Sequence, residues 1–218
     1  MCSSDLIGPN GAGKTTLVAQ LAGQLAPDRG RIVFDGRDIT ASSAHQRARL
    51  GLARSFQITR LFPSFGVLEH IALALQAASG PSIGAWRAVA RETPLFERAR
   101  ALLPRLGLDA QADAPIHTLS HGQRRALEVG MAVAAGPRLL LLDEPMAGLG
   151  ADESPRMETL IDGLRRDAAL LLIEHDVDAV FRLADRVSVL VGGRIIASGK
   201  PDDVRRDAQV VAAYLGQE

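Results

Sequence analysis

Cysteine, tryptophan, tyrosine and lysine are all scarce in this chain, its charges cancel, and none of its apolar runs is long. Of 218 residues, one is cysteine (Cys2), one tryptophan (Trp86) and one tyrosine (Tyr214). A single cysteine closes intrachain disulfides and metal-thiolate centres. Together with an N-terminus that has neither a charged leader nor an apolar signal core, it points to a reducing, cytoplasmic setting. Its apolar runs, such as residues 139–142 and 168–173, fall far short of the roughly 20 residues that a bilayer span requires. Basic and acidic residues balance at 25 each, and no basic run exceeds a pair. The electrostatic footprint of a nucleic-acid binder is missing, so no nucleic-acid partner is expected. What remains is a chain with 47% hydrophobic residues, enough for one core or one core carrying a smaller subdomain. It has no internal repeat and no low-complexity linker.

The lysine shortage is itself a signal. Only Lys14 and Lys200 are lysines among the 25 basic residues. Lys14 lies in Gly8-Pro9-Asn10-Gly11-Ala12-Gly13-Lys14-Thr15, which satisfies the phosphate-loop pattern in full, and Thr16-Leu17-Val18 then opens an apolar helical stretch. Glycines let the backbone curl around an anion, so that successive N–H groups and the positive helix end point at a β-phosphate. Lys14 would reach the β- and γ-phosphates, and the Thr15 hydroxyl would hold Mg²⁺. A glycine-rich turn that merely enters a helix is the plain alternative, and the complete motif weighs against it.

Apolar spacing predicts a helix over residues 14–25, ended by Pro27-Asp28-Arg29-Gly30, then short strands over 31–34 and 53–56. Residues 67–136 are rich in alanine and leucine with helical periodicity, and breaks are expected near Gly80-Pro81 and Pro104. Beyond Pro137 the pattern alternates: strand 139–142, helix 152–166, strand 169–173, helix 177–184, strand 187–191. Continuous apolar strands between amphipathic helices indicate an α/β fold with a parallel sheet covered on both faces. Gly192-Gly193 then turns the chain into a hairpin strand over 194–197.

Two strand ends carry further polar groups. The leucine run 139–142 stops at Asp143-Glu144, at the carboxyl edge where a parallel sheet presents groups to a ligand. Asp143 would bind Mg²⁺ through water, and Glu144 would orient or polarise the water attacking a γ-phosphate. An acidic pair after a leucine run is weak by itself and gains its force from the phosphate loop. Strand 169–173 ends in Glu174-His175-Asp176, where His175 could contact the γ-phosphate or simply cap a helix. Ser120, in Leu119-Ser120-His121-Gly122-Gln123, stands at an N-cap with free backbone N–H groups behind it, which suits an anion or an ordinary capped helix equally.

In this order the elements resemble the ATP-binding subunits of ABC transporters, from about Leu6 to the C-terminus. In that family residues 8–16 match the Walker A motif, which assigns Gly8, Pro9, Asn10, Gly11, Ala12, Gly13, Lys14, Thr15 and Thr16 to ATP. Gln57 matches the Q-loop, residues 119–123 the signature motif, residues 139–144 Walker B, and His175 the switch histidine. The resemblance implies a P-loop NTPase (RecA-like) core, residues 1–62 and 137–218, with an inserted helical subdomain over 63–136. It implies a head-to-tail dimer in which Ser120, Gly122 and Gln123 of one subunit face ATP on the other. Glu144, His175, Gln57 and Lys14 would be catalytic, and Thr15, Gln57 and Asp143 would hold Mg²⁺. A narrower resemblance, to the ATP-binding subunits of branched-chain amino acid importers, rests on Arg54-Ser55-Phe56-Gln57, Arg60-Leu61-Phe62, the run 120–128, Ile173-Glu174-His175-Asp176 and Ala213-Tyr214-Leu215-Gly216. It implies a second ATP-binding subunit, two membrane permeases, an extracytoplasmic solute-binding protein at one remove, and a place on the inner face of the plasma membrane. Phe56, Phe62 and Phe65 lie near Gln57, where the family receives a coupling helix; packing of the subdomain junction accounts for each as well.

Three departures from the family pattern stand out. His121 replaces a usual glycine of the signature motif, and Gly150 occupies the aspartate position of the D-loop. Only seven residues precede Gly8, where the family has a strand pair and an adenine-stacking aromatic further upstream. Residues 1–5 read as too polar for a strand, so a truncated N-terminal β-subdomain is expected. Two other functions fit the same motifs: a soluble ABC-type ATPase acting on a nucleic-acid or protein partner, and a binding-only fragment.

Overall fold

The computed structural model of the chain describes residues 3–55, 61–79 and 93–215. Its centre is a six-stranded sheet ordered β4-β5-β6-β1-β7-β8, made of β1 (Ser3–Ile7), β4 (Leu52–Arg54), β5 (Leu139–Asp143), β6 (Ala169–Ile173), β7 (Arg186–Val191) and β8 (Arg194–Gly199). The first five strands of that order are mutually parallel, and β8 returns antiparallel to β7 through Gly192 and Gly193. Helix α1 (Lys14–Leu21) follows β1, α6 (Ser154–Leu164) returns the chain from β5 to its parallel neighbour β6, and α7 (Val177–Leu183) carries it from β6 past β1 to β7. Leu140, Leu141 and Leu142 are fully buried because β5 is covered on both faces. Each contributes about 1.5–3 kcal/mol on burial.

Strand β1 corrects the expectation drawn from its polar residues. It runs between β6 and β7, pairing Leu6 with Ile173 on one side and with Ser188 on the other. Two parallel ladders satisfy its backbone whatever its side chains are, and this tertiary setting outweighs strand propensity. The polar side chains are partly absorbed: Ser3 Oγ donates to Asp5 Oδ1 at 2.7 Å and the Ser3 N–H donates to Asp185 Oδ2 at 2.8 Å. Asp5 Oδ2 is buried with no hydrogen-bond partner, and burial pushes the Asp5 carboxyl up to about 7.

The strand expected over 31–34 is a two-residue element, β2 (Val33–Phe34), paired with β3 (Arg37–Asp38) in a separate hairpin. Asp35 and Gly36 both take positive φ, 51° and 74°, at its tip. That hairpin is fastened through α2 (Ala44–Arg49), whose buried Arg47 donates to the carbonyls of Gln20 and Leu21 at the end of α1 and of Thr40 and Ser42.

Helices α3 (Val67–Ala78), α4 (Thr93–Leu106) and α5 (His121–Ala134) pack on one another, and their apolar cluster continues into α6, β5 and β6 through Leu160, Leu142 and Leu172. The break expected near Gly80-Pro81 lies outside the described residues. The one expected at Pro104 does not occur: α4 runs through Pro104 and stops at Leu106, before Gly107 at φ 65°. Pro104 sits in the last turn, where its carbonyl accepts from the Gly107 N–H at 3.2 Å. The chain closes with α8 (Pro201–Arg205) and α9 (Ala208–Leu215) beside β7 and β8. Among the described residues, no helix is long and apolar enough to cross a membrane.

Candidate functional site

The loop from Gly8 to Gly13 leaves the end of β1 and enters α1 without a side-chain cap; the N-cap position is Gly13, at φ 101°. The first N–H groups of α1 therefore face the loop without a side-chain acceptor, a ready anion site. Gly8 is required by a close approach: a Cβ there would lie 2.1 Å from the carbonyl oxygen of Leu190 on β7. The loop's far side is tied to the β7–β8 turn, whose Gly193 N–H donates to the Ala12 carbonyl at 2.9 Å. Lys14 is only 5% exposed and donates through Nζ to the carbonyls of Gly8 (2.6 Å) and Pro9 (3.2 Å). Burial pulls its ammonium below the ordinary lysine value, against the opposing pull of Glu144 and Asp143.

Asp143 ends β5 in register with Ile173, and Glu144 follows it beside this loop. Asp143 is buried and paired with Arg54, whose Nη2 lies 2.6 Å from Oδ2. The Asp143 N–H approaches Ser55 Oγ at 3.4 Å. Its Oδ1 is buried without a hydrogen-bond partner. Glu144 adopts φ 51°, a conformation that favours glycine, and its N–H donates to the Ile173 carbonyl at 2.8 Å. Strained backbone of this kind is held only where its surroundings over-determine it. Here the brace is Glu174 at the end of β6: it is buried, and its carboxylate accepts from the backbone N–H of Met146 (2.7 Å) and His175 (3.3 Å). Burial pushes the Glu174 carboxyl up, and those two amides pull it back.

His175 follows directly, and its Nε2 lies 2.7 Å from Glu144 Oε1. It does not cap α7; Asp176 does, accepting from the Ala179 N–H. A cleft of about 250 Å³ is lined by Asn10, Gly11, Ala12, Gly13, Lys14, Thr15 and Thr16 together with Glu144 and His175. Residues distant in sequence thus converge on the open end of α1.

The segment at α5 is elsewhere. Ser120 caps α5, accepting from the Gln123 N–H at 3.2 Å while the Gln123 side chain accepts from the Ser120 N–H at 2.9 Å. Ser120, Gly122 and Gln123 line a different cavity, about 350 Å³, between α4, α5 and α6. Gln57 and Phe56 lie outside the described residues. Phe62 and Phe65 cluster with buried His70, with ring centroids 5.3–6.0 Å apart, and the Phe62 N–H donates to His70 Nε2 at 2.9 Å. Phe62 remains 49% exposed.

Sequence reasoning missed two contributors: Arg54 and Glu174. Arg54 ends an edge strand adjoining β5, and only the folded register Arg54↔Leu141, which no local sequence pattern carries, places it near Asp143. Glu174 was seen only as part of a polar strand end.

A mostly parallel sheet with an uncapped glycine loop feeding α1, and acidic and histidine side chains at neighbouring strand ends, defines a P-loop nucleoside triphosphatase. The family model for ABC transporter matches residues 4–147, and that for branched-chain amino acid ATP-binding cassette transporter matches residues 194–218. The chain belongs to the ABC transporter family, as an ATPase subunit. It is 36% identical to the high-affinity branched-chain amino acid transport ATP-binding protein LivG of Escherichia coli (strain K12), over 97% of this chain and 86% of that protein. It is 35% identical to the probable LivG of Archaeoglobus fulgidus, over 98% and 84%. It is also 36% identical to the lipopolysaccharide export system ATP-binding protein LptB of Acidithiobacillus ferridurans, over 98% and 85%. The structure superposes on the ADP conformation of an ABC transporter ATP-binding cassette with a TM-score of 0.85 and 30% identity, covering 99% of this chain and 88% of that one.

Proposed function

We propose that this chain is the ATP-hydrolysing subunit of an importer for branched-chain or related hydrophobic amino acids, working as half of a head-to-tail pair. The observation that carries the reading is a separation: the cleft around Lys14, Glu144 and His175 contains none of Ser120, Gly122 or Gln123, which line another cavity of the same protomer. A partner's signature segment would complete each cleft. Similarity to LivG and the matched C-terminal residues 194–218 support the solute class.

In this reading the α1 N–H groups and Lys14 bind the β- and γ-phosphates, and Lys14 exchanges its loop carbonyls for phosphate oxygens. Glu144 acts as the base for the attacking water. His175, within hydrogen-bond reach of Glu144, orients that carboxylate and contacts the γ-phosphate. The site suits a divalent cation: Asp143 Oδ1 is a buried carboxylate oxygen with no hydrogen-bond partner, and a carboxylate with water is the donor set magnesium prefers. Thr15, Asp143 and Gln57 would hold Mg²⁺, which when bound neutralises charge on the β- and γ-phosphate oxygens.

Residues 63–136 would act as a helical subdomain that turns against the core as the pair closes, passing the motion to two permease chains at the inner membrane face. The exposed Phe62 beside Phe65 and His70 supports a docking role for that region. Glu144→Gln tests the reading. ATP binding should persist while turnover falls by about 10²- to 10⁴-fold, and a stable ATP-bound dimer should accumulate. Undiminished turnover in that variant would contradict Glu144 as the base.

A further inference from the structure

Glu153 has no part in the roles proposed above, although its carboxylate sits on the signature segment. It stands at the N-terminal end of α6 and reaches across to α5. Its Oε1 accepts from Ser120 Oγ at 2.7 Å and from the Gly122 N–H at 3.0 Å, and its Oε2 lies 3.5 Å from the Gly150 N–H. The Ser120 hydroxyl, followed by the Gly122 amide, holds the Glu153 carboxyl below the ordinary range, so it is charged at neutral pH. The backbone is shaped around it, since a Cβ on Gly122 would come within 2.7 Å of Glu153 Cδ. A larger residue at 122 would expel the carboxylate.

Ser120 Oγ and the Gly122 N–H are the donors that the head-to-tail reading directs at the partner's γ-phosphate. A carboxylate and a phosphoryl group present the same kind of anionic oxygen to them. We propose that Glu153 is an intramolecular stand-in for the γ-phosphate, occupying the signature donors in the single protomer so that ATP on a partner must displace it before the pair closes. This rests on the head-to-tail reading and adds its regulation. The displaced carboxylate also releases Gly150, in the loop that follows Glu144. That loop has a second tie to the signature segment, because His121 Nε2 lies 3.4 Å from the Ala147 carbonyl oxygen. Arrival of the partner's phosphate would thus be felt in the segment carrying the catalytic carboxylate, although the aspartate usual at position 150 is missing. Glu153 is a positioning residue in this scheme, acting through Ser120 and Gly122.

The test compares Glu144→Gln with Glu144→Gln/Glu153→Ala and Glu144→Gln/Glu153→Gln by two readouts. Sedimentation against ATP concentration gives the ATP needed for half-maximal dimer. Loss of the competing anion should lower it by about 3- to 10-fold for Ala, with a smaller change for Gln, as expected for a charge-assisted contact near the surface. An unchanged or higher requirement overturns the proposal. Amide exchange at Gly122 in the nucleotide-free protomer reads the latch directly: it should quicken in Glu153→Ala, and unchanged protection overturns the proposal. Were no dimer to form with ATP in any of these proteins, the head-to-tail reading would fail, and exchange at Gly122 would still decide whether the latch exists.

Discussion

His175 Nε2 and Glu144 Oε1 lie 2.7 Å apart, joining the ends of two neighbouring parallel strands across the mouth of the phosphate-loop cleft. The contact gives Glu144, whose backbone is in a left-handed conformation, a fixed side-chain direction as well. Replacing His175 by Ala should lower ATP turnover by about 10²-fold or more while leaving ATP affinity within a few-fold. Separate measurement of nucleotide binding by fluorescence and of phosphate release would distinguish this from loss of binding.

Arg54 and Asp143 form a pair whose side chains are 10% and 0% exposed. Removing only the cation leaves a buried carboxylate without its counter-charge. Arg54→Met should therefore destabilise the nucleotide-free protein by about 3–5 kcal/mol, read as a lower denaturant midpoint at unchanged slope. Arg54→Met/Asp143→Leu should recover much of that loss, because an apolar pair of similar volume avoids the desolvation.

Asp5 makes the opposite prediction. Its carboxyl is raised from 3.8 to about 7 by burial in β1, so the folded protein holds a proton that the unfolded chain gives up. The favourable contribution is complete below about pH 4 and is lost as pH rises through about 7. Asp5→Val should stabilise the protein by about 2–4 kcal/mol at pH 8, with the gain shrinking toward pH 4. Denaturation of both proteins across that pH range checks the slope.

The parallel core was legible because its strands are apolar without interruption: Ala169–Ile173 appears as read, and Leu139–Asp143 differs from its reading by one residue. The cleft was legible where motif and strand end coincide, at Lys14, Glu144 and His175. What escaped depended on partners far away in sequence. Strand β1 is polar yet central because β6 and β7 pair with both its edges, a fact of topology that no window of five residues contains. Arg54 meets Asp143 only through the β4–β5 register, and Glu153 meets Ser120 only because α6 returns beside α5. Asp35-Gly36 was a local hairpin signal passed over in favour of a single strand. Pro104 was given too much weight as a breaker; near a helix C-terminus it closes the last turn.

The central claim is that a protomer grips ATP alone but cleaves it only with a second protomer's signature segment in place. The most direct measurement is specific ATPase activity against protein concentration, with Lys14→Ala as the control for the phosphate loop. Activity per protomer should rise with concentration toward a plateau at which sedimentation shows dimers, and Lys14→Ala should remain near background throughout. Constant activity per protomer down to concentrations where only monomers sediment would contradict the account.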